Sequence, residues 1–186
     1  MEPLSVGIWA CRKASVSAGD RVLVTGAGPI GLLAMQCALA FGATEVTVSD
    51  VNEQRLDLAT RTGATRIVKA GEPFEFEVDA LIECSGHPAA MSDGIKALRP
   101  AGVAVLVGMG PEEEGTLPLS LIQGRELWVT GTFRYANTYP AAIALAASGK
   151  VDLKSIITGH YGLDDAEAAL KVGREDPGSV KPIVVP

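Results

Sequence analysis

Three observations predict an α/β fold built on a doubly wound sheet of six parallel strands. Apolar runs alternate with helical stretches through residues 20–149. The runs are rich in Val, Ile and Leu with little polar alternation, which suits strands buried on both faces. A glycine-rich turn joins the first run to the helix that follows it, and crossovers of one hand then place helices on both sides of the sheet.

Each element has its own signal. Pro3 suits the first turn of a helix, and Leu4, Ile8 and Cys11 mark one apolar face, so "EPLSVGIWACRK" opens the chain as a helix. "AGDRVLVTG" is a turn and then a short buried strand, Arg21 to Thr25. "PIGLLAMQCALAFG" is a helix closed by Gly42. "EVTVSD" is the second strand and "NEQRLDLATRTG" a second helix ended by glycine. "TRIVKA" and "VDALIECSG" are the third and fourth strands. "PAAMSDGIKALRP" is a helix bounded by prolines, "GVAVLVGMG" the fifth strand and "ELWVTGTF" the sixth. "YPAAIALAASGK" is the helix after it.

Two stretches break that rhythm. Residues 109–126 form a long connection with its own apolar segment, "TLPLSLI", which is either a sheet edge that pairs with another chain or a segment folded back on this one. Glu112–Glu114 form a solvated loop tip. The tail from Val151 onward reads as a strand "SIITGHYGL", a helix "DDAEAALKVGRE" and a strand "KPIVVP", standing apart from the main sheet. The expected divisions are a helix at 1–18, the alternating strand-and-helix domain at 19–150 and a C-terminal segment at 151–186.

Composition narrows the class. The 186 residues are 47% hydrophobic and 20% charged, which is globular, and no run approaches the length of a membrane span. No secretory leader opens the chain, so a soluble cytoplasmic protein is expected. A net charge of −6 argues against nucleic acid and anionic membranes as partners. Cys11, Cys37 and Cys84 are widely spaced without a CxxC, and read as small buried hydrophobes. His87, before Pro88 at a helix start, reads as local structure.

The chemistry begins at "VLVTGAGPIGLLA", which carries Gly26-x-Gly28-x-x-Gly31 between a strand and a helix within a βαβ unit. This is the context of a Rossmann dinucleotide site. Gly26 permits the tight turn, Gly28 lets backbone approach a pyrophosphate, and Gly31 lets the helix pack on the strand. The pyrophosphate would rest on backbone N–H groups at the helix start. Asp50 ends the second strand 19 residues after Gly31, where a carboxylate accepts from the ribose hydroxyls and repels a 2′-phosphate. It is equally placed to cap the helix beginning near Asn52. The cofactor expected is NAD rather than NADP, although Arg55, five residues on, is able to tolerate a phosphate.

With "EPLSVG", "GAGPIG", "ECSG", "LVGMG" and "FRYANTYP" taken together, the chain resembles the sorbitol (L-iditol, xylitol) dehydrogenase branch of the zinc-containing medium-chain dehydrogenases. The resemblance covers essentially the whole chain. It implies that Gly26, Gly28, Pro29, Ile30 and Gly31 cradle the pyrophosphate, and that Asp50 and Arg55 hold the adenosine ribose. Val107, Gly108 and Met109, with Phe133 and Arg134, would line the nicotinamide side. Arg134 and Tyr135 would reach substrate hydroxyls or bound water, and Glu2 would sit near the catalytic metal. "TLPLSLI" resembles the segment through which such domains pair, so a homodimer or homotetramer is implied.

The same resemblance implies a catalytic zinc held by a cysteine, a histidine and a glutamate, all upstream of "EPLSVG" and so absent from this chain. The histidine common in the family's tail falls at Gly159, one position before His160, and His160 is therefore taken as neither ligand nor base. The expectation is a fragment of a polyol or secondary-alcohol dehydrogenase that binds NAD without catalysis, its residues 1–18 an interdomain helix and its tail part of the catalytic domain. A stand-alone dinucleotide-sensing module and a threonine-type or simple alcohol dehydrogenase are the alternatives. The tail, without its usual support, should pack atypically or be more mobile than the sheet.

Overall fold

Six strands pair in parallel in the order β3-β2-β1-β4-β5-β6 in the computed structural model, which describes residues 1–111 and 114–186. They are β1 (Arg21–Thr25), β2 (Glu45–Asp50), β3 (Arg66–Lys69), β4 (Val78–Glu83), β5 (Leu98–Leu106) and β6 (Trp128–Gly131). Helices α1 (Glu2–Lys13), α2 (Pro29–Phe41), α3 (Glu53–Arg61), α4 (Pro88–Lys96), α5 (Leu119–Gly124) and α6 (Tyr139–Ala147) cover the faces. The strand order reverses at β1, which carries β2 on one side and β4 on the other.

The uniform apolarity of the strands follows from burial on both faces. Val22, Val24, Ala80 and Ile82 face one core with α1 and α2, while Leu23 and Leu81, between them in sequence, face a second core with Ile95 and Leu98. α1 belongs to the first core: a Cβ at Gly7 would stand 3.0 Å from the backbone nitrogen of Ala34, so glycine sets the closeness of α1 to α2. Pro29 begins α2 at a position that needs no N–H donor, and Gly42 ends it in the left-handed conformation.

Three boundaries differ from expectation or decide between alternatives. The helix expected to run up to Pro100 stops at Lys96, and β5 begins at Leu98 with a register shift before Ala80 pairs Val103. Leu98 is fully buried against β4, so burial draws it into the sheet. "TLPLSLI" folds back: Leu117, Leu121 and Ile122 pack on the second core, the last two from the short α5. Of the acidic run, Glu114 is exposed, and Glu112 and Glu113 lie outside the described residues.

The tail forms its own parallel pair, β7 (Ile157–Tyr161) with β8 (Lys181–Val184), joined by α7 (Ala166–Glu175). It stands apart from the six-stranded sheet, yet Val151, Ile156 and Val180 enter the first core. Asp152 is pinned by Gln36 of α2, whose side chain accepts from its N–H at 2.6 Å and donates to its carbonyl at 3.2 Å.

Candidate functional site

Where the strand order reverses, the carboxyl ends of β1, β2 and β4 open into a cavity of about 540 Å³. Open α/β sheets bind ligands at this kind of position. Gly26, Gly28, Asp50 and Arg55 line it. Gly26 sits at φ +89°, and a Cβ there would come within 2.8 Å of the Ser85 nitrogen. Gly31 stands behind the cavity in the first turn of α2, where a Cβ would fall 1.7 Å from the Gly26 carbonyl oxygen. A Cβ at Gly28 would instead meet nothing within 4 Å, so this glycine opens onto free space beside the start of α2. Pro29 and Ile30 are half-buried at that helix start.

Asp50 is buried, and the backbone N–H groups of Ala27 and Asn52 donate to its two oxygens at 2.6 and 2.8 Å. The helix cap is Asn52, whose side chain accepts from the Arg55 N–H. Asp50 therefore fastens the glycine turn to the end of β2 and leaves α3 to be capped by its neighbour. Arg55 reaches the same rim, but its guanidinium turns to the tail, with Nε donating to the Pro177 carbonyl at 3.1 Å and Nη2 to that of Ser179 at 3.3 Å.

Glu83, the acid of "ECSG", organises the opposite wall. It is fully buried at the end of β4, and its carboxyl group accepts from Thr25 Oγ1 at 3.2 Å, Ser85 N–H at 2.8 Å, Ser85 Oγ and Gly86 N–H. Its main-chain carbonyl accepts from Val107 and Gly108. One residue thus ties the end of β1 to the loops that follow β4 and β5, and Gly108 packs so closely that a Cβ would stand 2.2 Å from the Gly86 nitrogen. In the sequence Glu83 is marked by "ECSG" and by its place as the acid that ends the strand "VDALI".

The remaining expected residues gather away from the cavity, after β5 and β6 and at the tip of α1. Met109 and Phe133 are exposed at 79% and 71%, and the Arg134 guanidinium lies 5.4 Å from the Phe133 ring centre. Arg134 holds φ +56°, a left-handed conformation that is costly outside glycine. The Tyr135 and Tyr139 rings pack 5.4 Å apart. Tyr139 first, and then burial and the Glu2 carboxylate, push the Tyr135 phenol up, while Arg134 opposes them. Two contacts brace this region: Thr138 Oγ1 donates to the Ser5 carbonyl, and Lys13 Nζ to that of Gly131.

Cys11 and Cys37 are buried as small hydrophobes; burial pushes the Cys37 thiol up to about 12. Cys84 is half-buried and lines the cavity, its thiol raised by burial and by the Glu83 charge. His87 is the N-cap of α4 and also lines the cavity, while His160 is exposed on β7. Among the described residues no three His, Cys, Asp or Glu side chains cluster to hold a metal ion, so these residues do not fit a zinc site. Nor is any helix among them long and apolar enough to cross a membrane.

Fold and crevice together define a Rossmann-type α/β domain of the dehydrogenase kind. Residues 29–148 match the family described as "Zinc-binding dehydrogenase". Mouse sorbitol dehydrogenase is 38% identical over 190 residues, covering 96% of this chain and 53% of the relative. L-Idonate 5-dehydrogenase of Escherichia coli superposes with a TM-score of 0.92 at 29% identity, over 99% of this chain and 55% of that one. 2R,3R-Butanediol dehydrogenase of Bacillus subtilis gives a TM-score of 0.92 at 28% identity, over 100% and 56%. The chain belongs to the zinc-binding dehydrogenase family, and it spans about half the length of the curated relatives it matches.

Proposed function

We propose that this chain is the NAD-binding part of a zinc-dependent dehydrogenase acting on a polyol or secondary alcohol. The observation that carries the reading is Asp50, buried on the rim of the crevice with both oxygens oriented by backbone N–H donors. So held, the carboxylate is preorganised to accept from the 2′- and 3′-hydroxyls of the adenosine ribose. Gly28 leaves the space for a pyrophosphate against the first turn of α2, where backbone N–H groups favour negative charge. The cofactor supplies a hydride acceptor when bound. Val107, Gly108 and Met109, with Phe133 and Arg134, form the wall for its nicotinamide half, braced through Glu83.

Arg134 and Tyr135 serve the alcohol, orienting its hydroxyls, and Glu2 faces the same space from the tip of α1. Residues 1–18 form the interdomain helix, 19–150 the coenzyme domain, and 151–186 the segment that rejoins the catalytic part. The exposed Trp128 on the edge strand β6 and Leu119 on α5 give an apolar surface for pairing coenzyme domains into a homodimer or homotetramer. A cytoplasmic setting agrees with three cysteines held as free thiols.

Calorimetric titration tests the reading. NAD should bind more tightly than NADP, and Asp50→Ala should weaken NAD about tenfold, equivalent to about 1.4 kcal/mol. Tighter NADP binding by the parent chain would contradict the ribose assignment.

A further inference from the structure

Glu83 is fully buried, and among the described residues no Lys or Arg side chain forms an ion pair with it. The partners of its carboxylate among those residues are neutral donors: the Thr25 and Ser85 hydroxyls and the N–H groups of Ser85 and Gly86. The Gly86 N–H reaches both oxygens, at 3.1 and 3.2 Å. These donors satisfy the lone pairs but leave the negative charge without a counter-charge, an arrangement that is costly in a packed interior. The charge acts on its surroundings, since it helps to raise the neighbouring Cys84 thiol.

The position of this anion suits a purpose beyond packing. Gly86, whose N–H the carboxylate holds, takes φ +72°, and a Cβ there would stand 2.6 Å from the Gly110 nitrogen and 2.7 Å from the Met109 carbonyl carbon. Gly108 approaches the Gly86 nitrogen as closely. Between the carboxylate and the Gly108–Gly110 backbone thus stands Gly86, which has no side chain. That backbone belongs to the wall assigned to the nicotinamide half of the cofactor. Arg134, the cation on the same side, is exposed and screened by solvent, whereas a buried charge acts through a low effective dielectric.

The oxidised nicotinamide ring carries a positive charge that the reduced ring lacks. We infer that the Glu83 carboxylate, acting from behind the Gly86 and Gly108 backbone, sets the oxidation-state preference of the crevice by favouring the cationic, oxidised nicotinamide over the neutral, reduced one. Glu83 touches neither cofactor nor alcohol; it is a specificity-determining residue that works through its field. At the effective dielectric of a protein interior, one such charge changes the ratio of the two affinities about tenfold. The inference rests on the proposed cofactor site.

Calorimetric titration of NAD⁺, NADH and 5′-ADP into the full chain and two variants tests it. Glu83→Gln, which keeps the shape and an acceptor oxygen but removes the charge, should lower the NAD⁺-to-NADH affinity ratio about tenfold. The same variant should leave 5′-ADP, which carries no nicotinamide, within about twofold of the parent. Glu83→Asp, which keeps the charge, should hold the ratio within about twofold even where both affinities fall. A residue that only braced the wall would weaken NAD⁺ and NADH together, so an unchanged ratio in Glu83→Gln overturns the inference. A tenfold fall of the ratio in Glu83→Asp overturns it too, and that arm stands if Glu83→Gln does not fold. In either case 5′-ADP binding by the parent chain leaves the cofactor site intact. If the parent chain does not bind 5′-ADP, the cofactor site fails and the inference falls with it.

Discussion

Two buried acids bracket the crevice, and they differ in how visible they are from the sequence. Asp50 stands at a fixed distance from a glycine motif, so its place on the rim is legible from spacing alone. Glu83 stands in "ECSG", but the work of its side chain is set by partners 58 residues back and two and three residues ahead. Removing its side chain would strand the Thr25 hydroxyl and the N–H groups of Ser85 and Gly86. Glu83→Ala should therefore lower stability by about 3 kcal/mol, and Glu83→Gln, which retains one acceptor oxygen, by about 1 kcal/mol. Urea denaturation of the two variants checks this ordering; equal losses would mean that the hydrogen bonds contribute nothing beyond volume. Arg55 illustrates the opposite limit: its position on the rim is readable, whereas the tail carbonyls that occupy it lie more than 120 residues away.

At the scale of elements, strands and caps are legible because each is encoded locally. Alternate strand residues serve opposite cores, so unbroken apolar runs read correctly as parallel strands. The start of β5 is not legible, because "ALRP" carries helix formers and only burial against β4 pulls Leu98 into the sheet. "TLPLSLI" is ambiguous for the same reason: periodicity gives an apolar segment but not the surface it covers. α2 shows a consequence of complete enclosure. Gly31 through Ala38 are all buried, and Cys37 lies among them. Its thiol titrates near 12 in the folded chain against 9.0 ordinarily. Below pH about 9 the thiol keeps its proton in both states and burial costs nothing in pH terms. As pH rises from 9 toward 12 the unfolded state alone loses the proton, so stability should fall over that window. Cys37→Ala should flatten that decline in denaturation midpoints measured from pH 8 to 11; an unchanged slope would assign the decline to other groups.

Over the whole molecule, the six-stranded sheet, the leading helix and the tail form one packed body rather than a sheet with loose ends. α1 shares the first core with α2, and the tail contributes Val151, Ile156 and Val180 to it while pairing β7 with β8 separately. The same tail reaches the rim of the crevice through Arg55 and Asn52. Crevice and C-terminal segment are thereby joined, although the residues expected to meet the alcohol sit apart, at Glu2, Arg134 and Tyr135. The proposed function stands on occupation of the crevice by NAD. Backbone amide NMR of the chain titrated with NAD measures that occupation residue by residue. Shifts should concentrate at Gly26–Gly31, Asp50–Arg55 and Ser85–His87, and should be lost in Asp50→Ala at equal NAD concentration. Shifts centred elsewhere, or none at millimolar NAD, would contradict the assignment of this crevice as the cofactor site.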